Sequence, residues 1–358
     1  MTELIPINDP YVQPLLFLRE ISREELKSEG KQSDSNEQSD AITEQPLDVP
    51  HFLRNQHSPN PPSRTSHCLE DIFDNFHSIV KSNAPQPRLF IEAPPGAGKS
   101  TLLKMLSVRA VERKPPFQTK NWVPLRVSLA DWIQPNPLVS RTQDEESNFY
   151  SYLRHVLFGT HAFRPHLKNG PSLDFYERLF NSGRVLLLLD GVDEVAGTHV
   201  ERVEKLINSL TNKNIPIVIT ARTFSGDHFS NLLKDKGFGF FTVKPLENNQ
   251  RNEMIERHPR ANMGYDPQSL IQTIDEHESL RDLTTSPLLL SLICYVTENH
   301  LSGNSQPERK QTFPITKAEL YSRLISTSSF PGVVPHPCGR HIFCLELTNF
   351  RSNLNSYS

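Results

Sequence analysis

The chain has 358 residues, a hydrophobic fraction of 36% and 29 unevenly placed prolines. That length holds one large or two medium domains with a real core, while the low apolar share assigns part of it to linker or unstructured sequence. A formal net charge of −3 without a basic stripe excludes general nucleic-acid binding and attraction to an anionic membrane.

Met1 to Pro14 has neither a basic flank nor a long apolar segment, so no leader is expected there. The longest apolar run, Pro287 to Val296, is about half of what a bilayer requires. Cys68, Cys294, Cys338 and Cys344 are too few and too scattered for a disulfide framework. These features predict a cytoplasmic protein with no membrane span.

Residues 1–66 open with a mildly apolar patch, Tyr11 to Leu18, and a short helix with capping-box spacing at Ser22 and Glu25. Ser28 to Pro46 has almost nothing to bury and is expected to be disordered; Ser58 to Ser66, rich in proline, reads as a linker. From Cys68 the pattern changes. Leu69, Ile72, Phe73, Phe76 and Ile79 predict a helix, and Arg88 to Ala93 a buried strand.

The stretch that follows carries chemistry: Ala93-Pro94-Pro95-Gly96-Ala97-Gly98-Lys99-Ser100-Thr101. It fits the phosphate-loop pattern G-x-x-x-x-G-K-[ST] with alanine in the first place. Gly96 and Gly98 let successive amides turn inward, and the following helix, with apolar residues at Leu102, Leu103, Leu106 and Ala110, adds its positive dipole end. Lys99 would reach the β- and γ-phosphates, the Ser100 hydroxyl would ligate Mg²⁺, and Thr101 would open the helix. Pro115 and Pro116 stop that helix near Arg113.

Trp122 to Leu129 alternates Val123, Leu125, Val127 and Leu129, which is strand periodicity, and Asn148 to Phe158 and Ser172 to Phe180 read as helices. Val185 to Leu189 is a continuous apolar run of the kind covered on both faces. A helical stripe from Val200 to Leu210, a strand from Ile215 to Thr220 and another from Phe240 to Val243 complete the pattern. Strands alternating with helices over residues 88–245 predict an α/β fold, a mostly parallel sheet sandwiched by helices. The expected domains are a nucleotide-binding domain at 67–245, a small all-helical subdomain at 246–325 and an irregular tail at 326–358.

Asp190-Gly191-Val192-Asp193-Glu194 stands at the end of the Leu-rich strand, where parallel sheets place ligand-binding residues. Asp190 suits a Mg²⁺ shell, Glu194 is the candidate base that polarises an attacking water, and Asp193 would help with the metal or orient that base. The competing reading of these acids is a turn that caps the next helix, which the upstream phosphate loop disfavours. Arg222 ends the next strand at the same sheet edge, placed either to meet γ-phosphate charge or simply to be solvated. The order of acid-pair strand, helix and polar-ended strand predicts an additional strand between the two that hold the phosphate site.

The phosphate loop followed by Leu-Leu-Leu-Leu-Asp-Gly-Val-Asp-Glu-Val at 186–195 resembles the NACHT domain, a family among the signal-transducing ATPases with numerous domains. Ile217 to Arg222 is similar to that family's sensor strand, Ser286-Pro287-Leu288 to its proline motif, and Phe313 to Tyr321 to the segment closing its helical subdomain. The resemblance implies ATP/ADP and Mg²⁺ as cofactors, Pro287 against the adenine and Arg222 as sensor. It also implies slow hydrolysis as a conformational timer in intracellular signalling or defence, with self-association or protein signalling partners. A shortened, non-hydrolysing regulator and a small-molecule kinase are the competing readings. The family's effector, winged-helix and repeat regions are not expected in the first sixty or so residues or after Tyr321. In the tail, His336, Cys338, His341 and Cys344 follow no standard zinc spacing and are expected to bind no metal.

Overall fold

Five of the apolar segments become parallel strands, four of them buried on both faces. In the computed structural model, which describes residues 16–18, 66–134, 144–158, 171–195, 197–223, 227–258, 266–302 and 317–326, they are β3 (Arg88–Ala93), β4 (Val123–Ser128), β5 (Val185–Asp190), β6 (Ile217–Arg222) and β7 (Gly239–Val243). Two short strands, β1 (Leu16–Leu18) and β2 (Ser66–His67), join the same sheet. The order is β2-β1-β7-β3-β6-β5-β4, with β1 antiparallel to both its neighbours. β3 pairs in parallel with β6 and β7, and β5 with β4 and β6. An inserted strand, β6, therefore separates the phosphate-loop strand from the acidic one, as the sequence order predicts.

The two faces are built by different helices. On one, α1 (Leu69–Val80) and α2 (Lys99–Glu112) bury Leu69, Ile72, Phe76, Leu103 and Leu106 against Leu89, Ile91, Leu186, Leu188 and Val218. On the other, α3 (Leu129–Ile133), α4 (Glu145–Phe158), α5 (Leu173–Asn181), α6 (Val200–Thr211) and α7 (Asp227–Asp235) close over Val185, Leu187, Leu189, Ile217 and Ile219. The uninterrupted run in β5 follows from this, since its side chains point alternately into two cores. Across the second face α4 is fastened to α6: Arg202 donates to both oxygens of Glu145, at 2.8 and 3.0 Å, and lies over the Trp132 ring.

The described residues fall into two compact units. Among the described residues, the sheet unit takes those from 16 to 250 and Ser286–Leu288; the second takes those at 251–285 and from 289 to 326. The second unit is helical among its described residues, with α9 (Pro267–Glu276), α10 (Glu278–Leu283), most of α11 (Pro287–Ser302) and α12 (Lys317–Ser326), while α8 (Asn248–Arg257) begins in the sheet unit. Asp266 caps α9 by accepting the amides of Gln268 and Ser269, and Pro267 sits in the first turn, where its missing N–H costs nothing. Arg251, almost fully buried, donates to Asp275 at 2.6 Å.

Three features depart from the sequence reading. Leu16 to Leu18, read as an apolar patch in a mostly unstructured region, is a strand between β2 and β7, and its partner Val243 is remote in sequence. The strand periodicity of Trp122 to Leu129 stops at Ser128, whose Oγ accepts the Asp131 amide and starts α3. Val123, placed inward by alternation, is 44% exposed at the strand's open end. The expected helix at Ser22, the stretch 28–46, most of the linker and the His/Cys tail lie outside the described residues. Among the described residues no helix is long and apolar enough to cross a membrane.

Candidate nucleotide site

β3 delivers the loop Pro94–Gly98 to the carboxyl edge of the sheet, and α2 starts immediately after it. Gly98, the N-cap, has no side chain with which to cap the first amides of α2, which leaves that positive helix end for a ligand. Gly96 is required twice over. Its φ is +79°, and a Cβ there would come within 3.0 Å of the Leu288 side chain. Leu288 also donates its N–H to the Gly96 carbonyl at 3.2 Å. Because Ser286–Leu288 belongs to the sheet unit, this contact brings Pro287, the first residue of α11, beside the phosphate loop.

Lys99 is folded back over its own loop, its Nζ donating to the carbonyls of Ala93 at 2.7 Å and Pro94 at 3.2 Å. Burial pulls its ammonium below the ordinary lysine value; Asp193, Asp190 and Glu194 oppose that shift and Arg222 adds to it. All five charged groups therefore share one neighbourhood. Ser100 and Thr101, in the first turn of α2, are exposed.

The acidic strand end is held by β6. Asp190 Oδ1 accepts from the Thr220 hydroxyl at 2.8 Å, and the same hydroxyl oxygen accepts the Gly191 N–H at 3.2 Å. Gly191 has φ +75°, and a Cβ there would lie 3.2 Å from the Glu194 carboxyl carbon, so a side chain at this position would displace the candidate base. The Asp193 side chain is 4% exposed and both its oxygens engage one residue: Oδ1 accepts the Arg222 N–H at 2.9 Å, and Oδ2 faces Arg222 Nε at 3.2 Å. Arg222 reaches on to Glu194 at 3.5 Å. Burial, followed by the charge of Asp193, raises the Glu194 carboxyl above the ordinary range, and Arg222 partly offsets this.

This donor set suits Mg²⁺. A magnesium ion carried by phosphates needs only one or two protein oxygens and keeps several waters, and Asp190 and Ser100 both offer hard oxygen donors. A dedicated metal cage is a different arrangement: among the described residues no group of three or more His, Cys, Asp and Glu is poised to hold a metal ion. Of the roles considered for Asp193, its engagement with Arg222 favours orientation over ligation. The residue that sequence reasoning overlooked is Thr220, read simply as part of a strand end. A hydroxyl within an otherwise apolar run was the available signal.

A parallel sheet of this order, with a phosphate loop between β3 and α2 and an acid pair after β5, is the P-loop NTPase fold. Within that class, residues 88–262 match the NACHT domain family, and the chain carries a NACHT domain over those residues. No curated protein matches the chain in sequence. Among solved structures, the ORC2 protein of Aeropyrum pernix, in complexes with ADPNP and ADP, aligns over 72% of this chain and 66% of its own at 13% identity, with a TM-score of 0.41. Domain III of the Thermotoga maritima replication initiation protein DnaA aligns over 71% and 89% at 14% identity, TM-score 0.38. A signal transduction ATPase with numerous domains and a tetratricopeptide repeat sensor, from Pyrococcus horikoshii, aligns over 70% and 31% at 12% identity, TM-score 0.33. The match therefore spans less than two thirds of the Aeropyrum protein and under a third of the Pyrococcus one.

Proposed function

We propose that this protein binds ATP or ADP with Mg²⁺ at the loop 93–101 and acts as a nucleotide-dependent switch that hydrolyses ATP slowly, in intracellular signalling or defence. The observation that carries the reading is the convergence of Lys99, Asp190, Asp193, Glu194 and Arg222 on one sheet edge, with Lys99 feeling the charge of the other four. In this reading Lys99 leaves its loop carbonyls to meet phosphate, a charge-assisted contact stronger than the neutral ones it gives up. Ser100 and Asp190 hold the cation, whose chemistry is to neutralise phosphate charge. Glu194 orients and polarises water, its raised proton affinity suiting a base. Arg222 stabilises the phosphate charge that develops, and Pro287 lies against the base of the nucleotide.

The test is the identity of nucleotide retained by purified protein, together with single-turnover hydrolysis of ATP. Micromolar or tighter binding with slow phosphate release is expected. Lys99→Ala should weaken binding at least ~10-fold, the scale of a lost charged hydrogen bond. Glu194→Gln should keep binding and slow release by roughly 10²-fold or more, as removal of a general base does. If Lys99→Ala changes neither affinity nor turnover, the reading is wrong. Binding with no release in wild type, and no effect of Glu194→Gln, selects the non-hydrolysing regulator.

A further inference from the structure

Thr220 has no exposed surface, and its neighbours in β6 are Ile217, Val218, Ile219 and Ala221. Valine would fill the same volume with no polar group to satisfy, so a buried hydroxyl here calls for a polar reason. Both hydrogen-bonding capacities of that hydroxyl are used. It takes the Gly191 N–H at 3.2 Å and gives its own hydrogen to Asp190 Oδ1 at 2.8 Å. The β5–β6 ladder registers Leu189 with Ile219, so Thr220 stands where β5 leaves the sheet and its next groups need a partner.

The consequence is directional. Holding Oδ1 fixes the plane of the Asp190 carboxylate, and among the described residues no hydrogen bond reaches Oδ2. We infer that Thr220 is a positioning residue that presents Asp190 to the divalent cation accompanying the nucleotide, and so sets how much Mg²⁺ the site needs. This rests on the reading of the site as a magnesium-nucleotide site. The hydrogen-bonded neighbours of metal ligands tune affinity because they hold the ligand in one orientation. Thr220 and Arg222 then divide β6 between them. One fixes the cation-facing carboxylate and the other is clasped by Asp193.

The experiment titrates a fluorescent ADP analogue into the purified full chain across a Mg²⁺ series and again in EDTA. In Thr220→Val the Mg²⁺ concentration for half-maximal binding should rise about tenfold, the lower end for loss of such a neighbour, with affinity in EDTA within about twofold of wild type. Thr220→Ser should restore the wild-type Mg²⁺ response. An unchanged Mg²⁺ response in Thr220→Val, a Ser variant as poor as Val, or an equal loss with and without Mg²⁺ overturns the inference, the last marking a purely structural role. Should Thr220→Val fail to fold, Thr220→Cys goes through the same titration: a raised half-point supports the inference and a wild-type curve overturns it. Failure of the underlying reading looks different, because wild type then binds no nucleotide in either buffer, or Lys99→Ala binds as wild type does, and both ideas fall.

Discussion

Asp193 spends both carboxylate oxygens on Arg222, one on its amide and one on its guanidinium. At 4% exposure that carboxylate is desolvated, so its stability rests on those two contacts. Asp193→Ala leaves the Arg222 N–H without its acceptor and the guanidinium without its nearer anion. The expected loss is about 1–3 kcal/mol, seen as a lower urea midpoint at constant slope; an unmoved midpoint would show that the clasp contributes nothing. Lys99 offers a second residue-scale check. Its free-state proton affinity is lowered, chiefly by burial, and phosphate prefers the ammonium. Nucleotide affinity is therefore full below that lowered value and declines as pH rises through it, before an ordinary lysine would titrate. Calorimetry from neutral to alkaline pH reads this directly, and an affinity flat up to the ordinary lysine range would contradict it. The phosphate loop and the acid triplet were legible in the sequence because each is a local run whose residue types state their chemistry. The Thr220–Asp190 and Arg222–Asp193 pairings were not, since the partners are 30 and 29 residues apart and meet only when β5 and β6 pair.

Elements were readable where burial imposes a period and hidden where it does not. β5 shows as five apolar residues because two cores claim it. α7, by contrast, packs Phe229, Leu232 and Leu233 among its described side chains, from a short and otherwise polar stretch in which so brief a stripe does not stand out. α3 was masked by alternation running on into Leu129, although a serine cap decides that the chain turns helical there. β1 is the clearest case of an element made by its partner. Three residues cannot form a strand alone, but Leu16 registers with Val243 and with His67 and is completely buried. Leu16→Ala should cost about 2 kcal/mol, the low end for a buried leucine because so short a strand can shift into the space. Urea unfolding measures it, and a loss within error would mean that β1 covers the β7 edge without stabilising it. Removal of β1 also uncovers the backbone edge of β7, so increased self-association should accompany its loss.

For the whole molecule, a ligand that binds only the folded chain adds stability by mass action. At a hundredfold excess over its dissociation constant, Mg-ADP contributes about 2.7 kcal/mol, which for a domain of this size raises the melting temperature by roughly 5 to 10 °C. Lys99→Ala, at least ~10-fold weaker, should lose about half of that shift or more in a thermal scan while melting normally without nucleotide. A wild-type protein whose melting point ignores Mg-nucleotide would leave the sheet edge without its proposed ligand.

The sequence by itself determined the five parallel strands and most of the helices of the core, the loop between β3 and α2, and the acids after β5, because periodicity and residue chemistry act over a few neighbours. Tertiary structure alone decided that Leu16 pairs with β7, that Leu288 braces Gly96, and which carboxylate oxygens are held by β6. Those outcomes depend on which distant backbones come within hydrogen-bonding distance, and a linear pattern of side chains does not encode distance.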